Sequence, residues 1–400
     1  MSHPALAPGK AWCKYPARTL TILAFATAIG LGMGRFAYSL VLPDMRESLG
    51  WSYATAGSMN TINAIGYMIG AFLAAPLAAR VGLLRAVWTG TTIAIISLAA
   101  SAVSGHVAPF AVARLLSGTG AAFALVCGGA LGAAIAQYNP ARASVLIGIF
   151  YIGPGIGIAI SGCTAPFLLQ EFGPGSWWIV WTAMTAIALV LAVPLFLTRV
   201  DVPAPKQDAT EEIASLRPIV LYLVSYFLFG AGYIAYMTFM IAYIRDAGGD
   251  AYAQSLFWCL IGLGGITSPW TWAPLVARGR SGLVMGLTIG VAGVGAVLAL
   301  IATSTWVYAI SALLFGSGIL AVVTALTAFA RFNYPPAQWS KVIGAMTIAF
   351  SIGQIVGPVI TGAITDYTGS LTSALTVSAA ALLLGAVVGA LQRPLRTAAP

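Results

Sequence analysis

Long stretches of this chain carry no charged residue, and this pattern restricts the possible folds more than any other feature. Residues 19–34 and 281–330 contain no Asp, Glu, Lys or Arg, and charged residues make up 7% of the chain against 60% apolar residues. Soluble domains contain roughly 25% charged residues. Because a folded soluble chain of this size cannot hide so much apolar surface, the sequence predicts an all-α membrane protein rather than a soluble fold or a β-barrel.

The apolar runs are long enough to cross a bilayer, which takes about 20 residues in a helix. Division at charges and at Pro or Gly turns gives twelve predicted spans: 19–42, 54–79, 86–104, 109–137, 143–169, 177–198, 218–244, 251–276, 282–302, 305–330, 342–365 and 370–391. The boundary within 281–330 rests on length alone, because no charge marks it.

The Lys and Arg residues indicate the orientation of these spans. With the N-terminus inside, the inner segments hold fifteen of the 19 basic residues and the outer loops hold two, while Arg35 and Arg114 lie within spans. We therefore expect both termini to lie in the cytoplasm. The longest hydrophilic stretch, 199–217, follows the sixth span. The predicted domains are an N-terminal six-helix half (1–200), a cytoplasmic linker (201–217) and a C-terminal six-helix half (218–400).

An internal repeat relates these halves. At an offset of 198 residues, GMGRFAY (32–38) aligns with GAGYIAY (230–236), APLAAR (75–80) with APLVAR (273–278), and LLSGTG (115–120) with LLFGSG (313–318). The three matches fall in corresponding spans, so together they indicate two related six-helix units.

Two parallel repeats joined by a cytoplasmic linker resemble the plan of the major facilitator superfamily (MFS) of transporters. RLLSGTG (114–120) resembles the fourth-helix motif of this superfamily, 148–162 resembles its Gly/Pro-rich fifth-helix motif, and GQIVGP (353–358) with TDYTG (365–369) resembles the end of its eleventh helix. GMGRFAY, followed by Leu42-Pro43, resembles the YbfB/YjiJ-type branch of bacterial transporters. The resemblance implies a multi-pass protein of the bacterial inner membrane that works by alternating access around a central site. ARVGLLR (79–85) departs from the superfamily pattern, because it lacks the Asp that usually precedes the first Arg in the cytoplasmic latch.

Arg35 and Arg114 are predicted to lie at similar depth and to face this central site, as the corresponding helices of the superfamily do. A charge buried in the bilayer costs from ~3 to more than 10 kcal/mol and normally has a partner. All 10 acidic residues lie in loops or at span ends, so none lies in mid-membrane to pair with either arginine. We therefore predict that the cargo supplies the anion, since a guanidinium can bind a carboxylate with two parallel hydrogen bonds.

A structural role for the arginines stays open at this point, and for Arg114 it is favoured. Arg114 belongs to a motif that occurs in members with different cargoes, so it could bind backbone carbonyls or polar side chains of a neighbouring helix. Arg35 could do the same, or extend to the outer face of the membrane.

Further polar and aromatic residues are candidates for the same site. Asn60, Asn63 and Tyr67 share one helix face, and a tyrosine wall in the second half would suit an organic anion with an apolar or aromatic part. The predicted substrate-binding residues are Arg35, Tyr38, Asn60, Asn63, Tyr67, Arg114, Tyr226, Tyr233, Tyr236, Gln254, Trp258 and Gln354.

These features predict a secondary active or facilitative transporter of a small organic anion, such as a monocarboxylate. Two alternatives stay open: efflux of drugs, sugars or other neutral or cationic compounds, and a non-transporting membrane sensor or scaffold. No nucleophile–base set or metal cluster indicates an enzyme, and the scattered basic residues do not indicate nucleic-acid binding. We expect a monomer whose partners are a small-molecule substrate and the lipid bilayer, with no cofactor and no metal. Proton coupling, exchange and facilitated diffusion are not distinguished.

Overall fold

Twelve long helices account for most of this computed structural model, which describes residues 14–139, 142–200, 215–335 and 338–395. The helices are α1 Pro16–Ser48, α2 Tyr53–Val81, α3 Leu83–Val103, α4 Val107–Ala136, α5 Val145–Phe172, α6 Trp177–Leu197, α7 Arg217–Asp246, α8 Ala251–Thr271, α9 Leu283–Ile301, α10 Thr305–Asn333, α11 Lys341–Thr368 and α12 Leu371–Ala390.

Eleven of these helices within the described ranges are long and apolar enough to cross a membrane. The exception is α8, which has 21 residues and therefore sufficient length, but carries several polar residues along it. The boundary predicted on length alone is confirmed, because α9 ends at Ile301 and α10 begins at Thr305.

Two predicted span ends were wrong. The first helix continues beyond residue 42 to Ser48, because Pro43 lies within it and its polar last turn stays helical. The eighth helix ends at Thr271 rather than at 276, and a separate helical turn, Ala273–Val276, follows it. The polarity of a residue marks where lipid ends, which is not always where the helix ends.

Helix packing repeats after six helices. In the first set, α2 packs on α4, α3 packs on α4 and α6, and α1 packs on α5; in the second set, α8 packs on α10, α9 packs on α10 and α12, and α7 packs on α11. The two sets meet where α2 packs on α11, α5 on α8 and α1 on α7. Residues 201–214 of the predicted linker lie outside the described residues, so the exact domain boundaries stay predictions.

Small residues bring these helices together. A methyl group on Gly157 would lie 2.2 Å from the carbonyl oxygen of Ala28, and one on Gly353 would lie 2.1 Å from that of Phe227. The backbones are therefore in direct contact at these positions, where no larger side chain fits.

Successive helices run in opposite directions, so the bundle has two distinct ends. We call the end at which α1 begins and α12 ends the terminal end; there Gly282 N–H donates to the Gln392 carbonyl at 2.9 Å. We call the opposite end the distal end. At the distal end the Asp44 carboxylate, near the end of α1, accepts hydrogen bonds from the N–H groups of Gly175 and Trp177 at 2.7 and 2.9 Å, where α6 begins.

Candidate substrate-binding site

The centre of α1 departs from α-helical geometry. Residues Ala28–Phe36 form a π-helix, and the N–H of Ala37 reaches back five residues to the carbonyl of Gly32 at 3.1 Å. Such segments are frequent at functional sites. The carbonyl of Gly34 accepts hydrogen bonds from the Ser117 hydroxyl at 2.8 Å and from Arg114 Nη1 at 2.7 Å, both on α4. The π-helix thus presents backbone acceptors to a neighbouring helix, within the GMGRFAY motif.

The guanidinium of Arg114 is bonded to the protein. Besides Gly34, its Nη2 donates to the Arg35 carbonyl at 3.2 Å and to Asn60 Oδ1 at 2.8 Å, and it lies 4.7 Å from the centre of the Tyr38 ring. The side chain is 1% exposed. These contacts match the structural alternative that the sequence favoured for Arg114.

Three further predicted residues join helices around Arg114. Asn60 Nδ2 donates to the Thr238 hydroxyl on α7 at 2.6 Å, and Asn63 Nδ2 donates to the Arg114 carbonyl at 3.0 Å. The Tyr38 hydroxyl donates to the Ala56 carbonyl at 2.8 Å. The polar groups that the sequence placed on one helix face are therefore mostly used in hydrogen bonds between helices.

Arg35 is different, because its guanidinium has no hydrogen bond and no ion pair with any described residue. The side chain is 2% exposed, and its Nε and Nη2 atoms are buried without a partner. The guanidinium lies 5.0 Å from the ring centre of Tyr67 and 5.9 Å from that of Phe36. Cation–π contacts contribute about 0.5–2 kcal/mol, while each unsatisfied buried donor costs about 1–3 kcal/mol, so the charge is not compensated.

Four nearly parallel aromatic rings lie on α7 and α11. The ring centres of Tyr226 and Phe350 are 4.6 Å apart at an interplanar angle of 14°, and those of Phe229 and Tyr233 are 4.9 Å apart at 13°. We call these four rings the aromatic wall. Tyr233, the counterpart of Arg35 in the repeat, lies within electrostatic reach of that residue.

Two other predicted residues join this group. Tyr67 on α2 lies within electrostatic reach of both Arg35 and Tyr233. The Gln354 amide on α11 donates to the Tyr233 hydroxyl, and its Oε1 is buried without a partner. Tyr67 from the first set of helices and Tyr233 from the second therefore both lie within electrostatic reach of the Arg35 guanidinium.

Three predicted residues have contacts outside this group. The Tyr236 hydroxyl lies 3.4 Å from the Ser311 hydroxyl, and Gln254 Nε2 donates to the Gly249 carbonyl at 3.1 Å near the distal end. Trp258 Nε1 donates to the Ser161 hydroxyl at 3.2 Å, between α8 and α5. Their assignment to the substrate site stays a prediction.

Phe229 and Phe350 are site residues that the sequence reasoning missed. Phe229 lies one turn before Tyr233 on the same helix, so helical spacing could have identified it. Phe350 comes from α11, and no local pattern pointed to it.

Within the ranges that the structure describes, no three His, Cys, Asp or Glu side chains are grouped to hold a metal ion.

Residues 27–390 match the model of one protein family, described as uncharacterised MFS-type transporter YbfB. This chain belongs to that family. The match spans eleven of the helices entirely and most of α1, and it confirms the resemblance that GMGRFAY indicated.

Solved MFS transporters share the fold. A bacterial homologue of the human lysosomal transporter Spinster, inward-facing and unoccupied, matches with a TM-score of 0.66 and 15% identity over 96% of this chain and 97% of that one. A point mutant of the nucleoside transporter NupG matches with a TM-score of 0.72 and 14% identity over 93% and 98% of the two chains. The predicted fold class, an all-α membrane protein with two pseudo-symmetric six-helix halves, is confirmed.

Proposed function

We propose that this MFS transporter carries a small organic monoanion, such as a monocarboxylate, across the bacterial inner membrane by alternating access. The observation that supports this substrate class is the uncompensated guanidinium of Arg35. A carboxylate fits it, because two carboxylate oxygens can accept parallel hydrogen bonds from one guanidinium and neutralise its charge.

The charge of the substrate follows from counting the cations in the site. Arg114 gives its two terminal nitrogens to Gly34, Arg35 and Asn60, so only Arg35 has a free guanidinium edge in the described site. A second carboxylate on the substrate would lack a cation there. A single negative charge therefore matches the site better than two.

The aromatic wall indicates the nature of the rest of the substrate. Its rings come from α7 and α11, whereas Arg35 comes from α1, so a bound molecule would contact both halves at once. Stacked aromatic faces favour an apolar or aromatic group. The Tyr233 hydroxyl already accepts a hydrogen bond from Gln354, so its own proton is available to a substrate oxygen.

Arg114 would serve as a positioning residue in this scheme. It holds the backbone carbonyl of Arg35 and contacts Asn60, which in turn bonds to Thr238 on α7. This series of hydrogen bonds therefore extends from the backbone of Arg35 to α7 in the opposite half. It would transmit movement between the two halves.

A neutral ring compound is the second candidate substrate. The aromatic wall together with the unpartnered Oε1 of Gln354 offers stacking and one hydrogen-bond acceptor, which do not require an anion. NupG, which shares the fold, is a nucleoside transporter, and this supports the second candidate.

Thermal stabilisation of the purified protein by matched compounds separates these candidates. Benzoate, benzamide and benzylamine share one ring and differ in charge. We expect the anion to raise the unfolding temperature and the amine to leave it unchanged; stabilisation by benzamide equal to that by benzoate would support the neutral candidate, and stabilisation by amines alone would refute the proposal.

The orientation is tested separately. With both termini in the cytoplasm, a C-terminal reporter that works only in the periplasm is expected to be inactive, while a reporter that works only in the cytoplasm is active. The opposite result would refute the proposed orientation.

A further inference from the structure

Two cysteine thiols meet where the two halves of the transporter pack together. Cys163 lies on α5 and Cys259 on α8, and their Sγ atoms are 3.3 Å apart. Cys259 Sγ also lies 3.5 Å from the Ala159 carbonyl oxygen. By contrast, the buried Cys127 has only the Ala74 carbonyl as a hydrogen-bond partner within the described chain, at 3.6 Å. The pair is therefore a specific feature of the interface between α5 and α8.

The backbones of the two helices hold these thiols together. A methyl group on Gly162 would lie 2.9 Å from Cys259 Sγ and 3.2 Å from Cys259 N. Gly155 and Gly262 make a similar contact, since a methyl group on either would lie 2.7 Å from the carbonyl oxygen of the other. The sulfur atoms must close from 3.3 Å to about 2.05 Å to form a disulfide, a change that side-chain rotation can supply.

The pair lies within the membrane and on the outside of the bundle. Cys163 precedes the end of α5 by nine residues and Cys259 follows the start of α8 by eight, about 12–14 Å along each helix. Cys163 is exposed and shares its helix face with Phe167, which is 43% exposed, and Leu263 on the face of Cys259 is 47% exposed. A bilayer with a hydrocarbon core of about 30 Å places this surface against acyl chains.

We propose that Cys163 and Cys259 form a redox-active dithiol that a lipid-soluble quinone oxidises to a disulfide. Each thiol gives up its hydrogen, one S–S bond forms, and the quinone takes up two electrons and two protons to become a hydroquinone. The location selects this class of oxidant, because a quinone dissolves in the acyl chains that the thiols face.

The disulfide would join the halves covalently. α5 belongs to the first set of packed helices and α8 to the second, so the bond restricts any movement of one half against the other. Its effect on transport rests on the proposed alternating access, whereas formation of the bond does not. Oxidation would therefore slow transport, and reduction would restore it.

Bond formation is tested in the full-length protein in lipid nanodiscs, with a protease site inserted within residues 201–214. Duroquinone is the probe, because its four methyl groups block direct addition of thiols to the ring. After duroquinone treatment and cleavage, we expect the halves to migrate together on a non-reducing gel and to separate after dithiothreitol. Cys163→Ser and Cys259→Ser are each expected to abolish the linkage, while Cys127→Ser retains it. Halves that separate after duroquinone treatment of the parent protein would overturn the proposal.

The consequence for transport is measured with the same oxidised protein in proteoliposomes. We expect oxidation to remove most of the uptake of a stabilising anion, dithiothreitol to restore it, and Cys163→Ser to be insensitive to duroquinone. Linked halves with unchanged uptake would refute the regulatory role. If no anion is transported at all, the proposed substrate class fails, and the gel still decides whether the dithiol site exists.

Discussion

Two aspartates make the same local contact in two different places, which allows one of them to control for the other. Asp366, at the end of α11, accepts hydrogen bonds from the N–H groups of Tyr53 and Ala54 at 2.9 and 2.8 Å, where α2 begins. This contact joins the halves at the distal end. Asp44 caps α6 in the same way, but within the first half. Asp366→Asn is therefore expected to favour opening of the distal end, whereas Asp44→Asn is expected to lower stability without opening it.

The size of the effect follows from the lost interactions. An asparagine keeps one acceptor oxygen, so one of the two backbone N–H groups on α2 loses its partner and the negative charge at the helix N-terminus disappears. A hydrogen bond to a charged group contributes about 1.5–3 kcal/mol, and a charge at a helix terminus about 0.3–1 kcal/mol. Because water replaces part of these interactions when the distal end opens, we expect the substitution to change the free energy of opening by about 2 kcal/mol. A change of this size shifts the closed–open equilibrium about 30-fold.

Spin labels on the distal loops measure this equilibrium by double electron–electron resonance. His106 and Thr303 are exposed residues of the two halves near the distal end, and they can be replaced by labelled cysteines in a chain without other cysteines. Asp366→Asn is expected to add a population at longer distance. Asp44→Asn is expected to keep the parental distance distribution and to lower the unfolding temperature. Unchanged distances in Asp366→Asn, or equal lengthening in both variants, would refute the reasoning.

The remaining predictions concern packing and the distal ion pair. A methyl group on Gly118 would lie 1.9 Å from the Asn63 carbonyl oxygen, so Gly118→Ala is expected to cost about 1–3 kcal/mol and lower the unfolding temperature. Gly344 has no atom within 4 Å of such a methyl group, so Gly344→Ala is expected to raise that temperature, as alanine favours a helix by about 0.5–1 kcal/mol. An unchanged or raised temperature in Gly118→Ala would contradict the first expectation, and a lowered temperature in Gly344→Ala would contradict the second. Glu47→Arg breaks the ion pair between Glu47 and Arg245, which joins the two halves, and is expected to lengthen the distal spin-label distances modestly. Adding Arg245→Glu is expected to restore the parental distances. Distances that stay long in the double variant would contradict a direct pairing.

The sequence predicted the helices well because the thickness of the bilayer determines how long each apolar run must be. This holds even within residues 281–330, which lack any charge and still divide between Ile301 and Thr305. The repeat also predicted that Tyr233 corresponds to Arg35, and in the structure these two residues lie within electrostatic reach of each other.

The partners of the arginines were beyond what the sequence could predict. Arg114 binds backbone carbonyls that become available because Ala28–Phe36 is π-helical, and no residue pattern marks a π-helix. Phe350 reaches the site from a helix more than 300 residues after Arg35, so its position depends on the packing of the whole bundle. Contacts of this kind follow from tertiary structure and not from local spacing.

The most direct test is the affinity of the purified protein for the acid that stabilises it best, measured by isothermal titration calorimetry. Arg35→Gln removes the free charge, and Arg85→Gln removes an exposed charge at the terminal end as a control. Since a hydrogen bond to a charged group contributes about 1.5–3 kcal/mol, we predict that Arg35→Gln weakens binding by at least about tenfold and that Arg85→Gln leaves it unchanged. Equal affinity of Arg35→Gln and the parent protein for that acid would contradict the account.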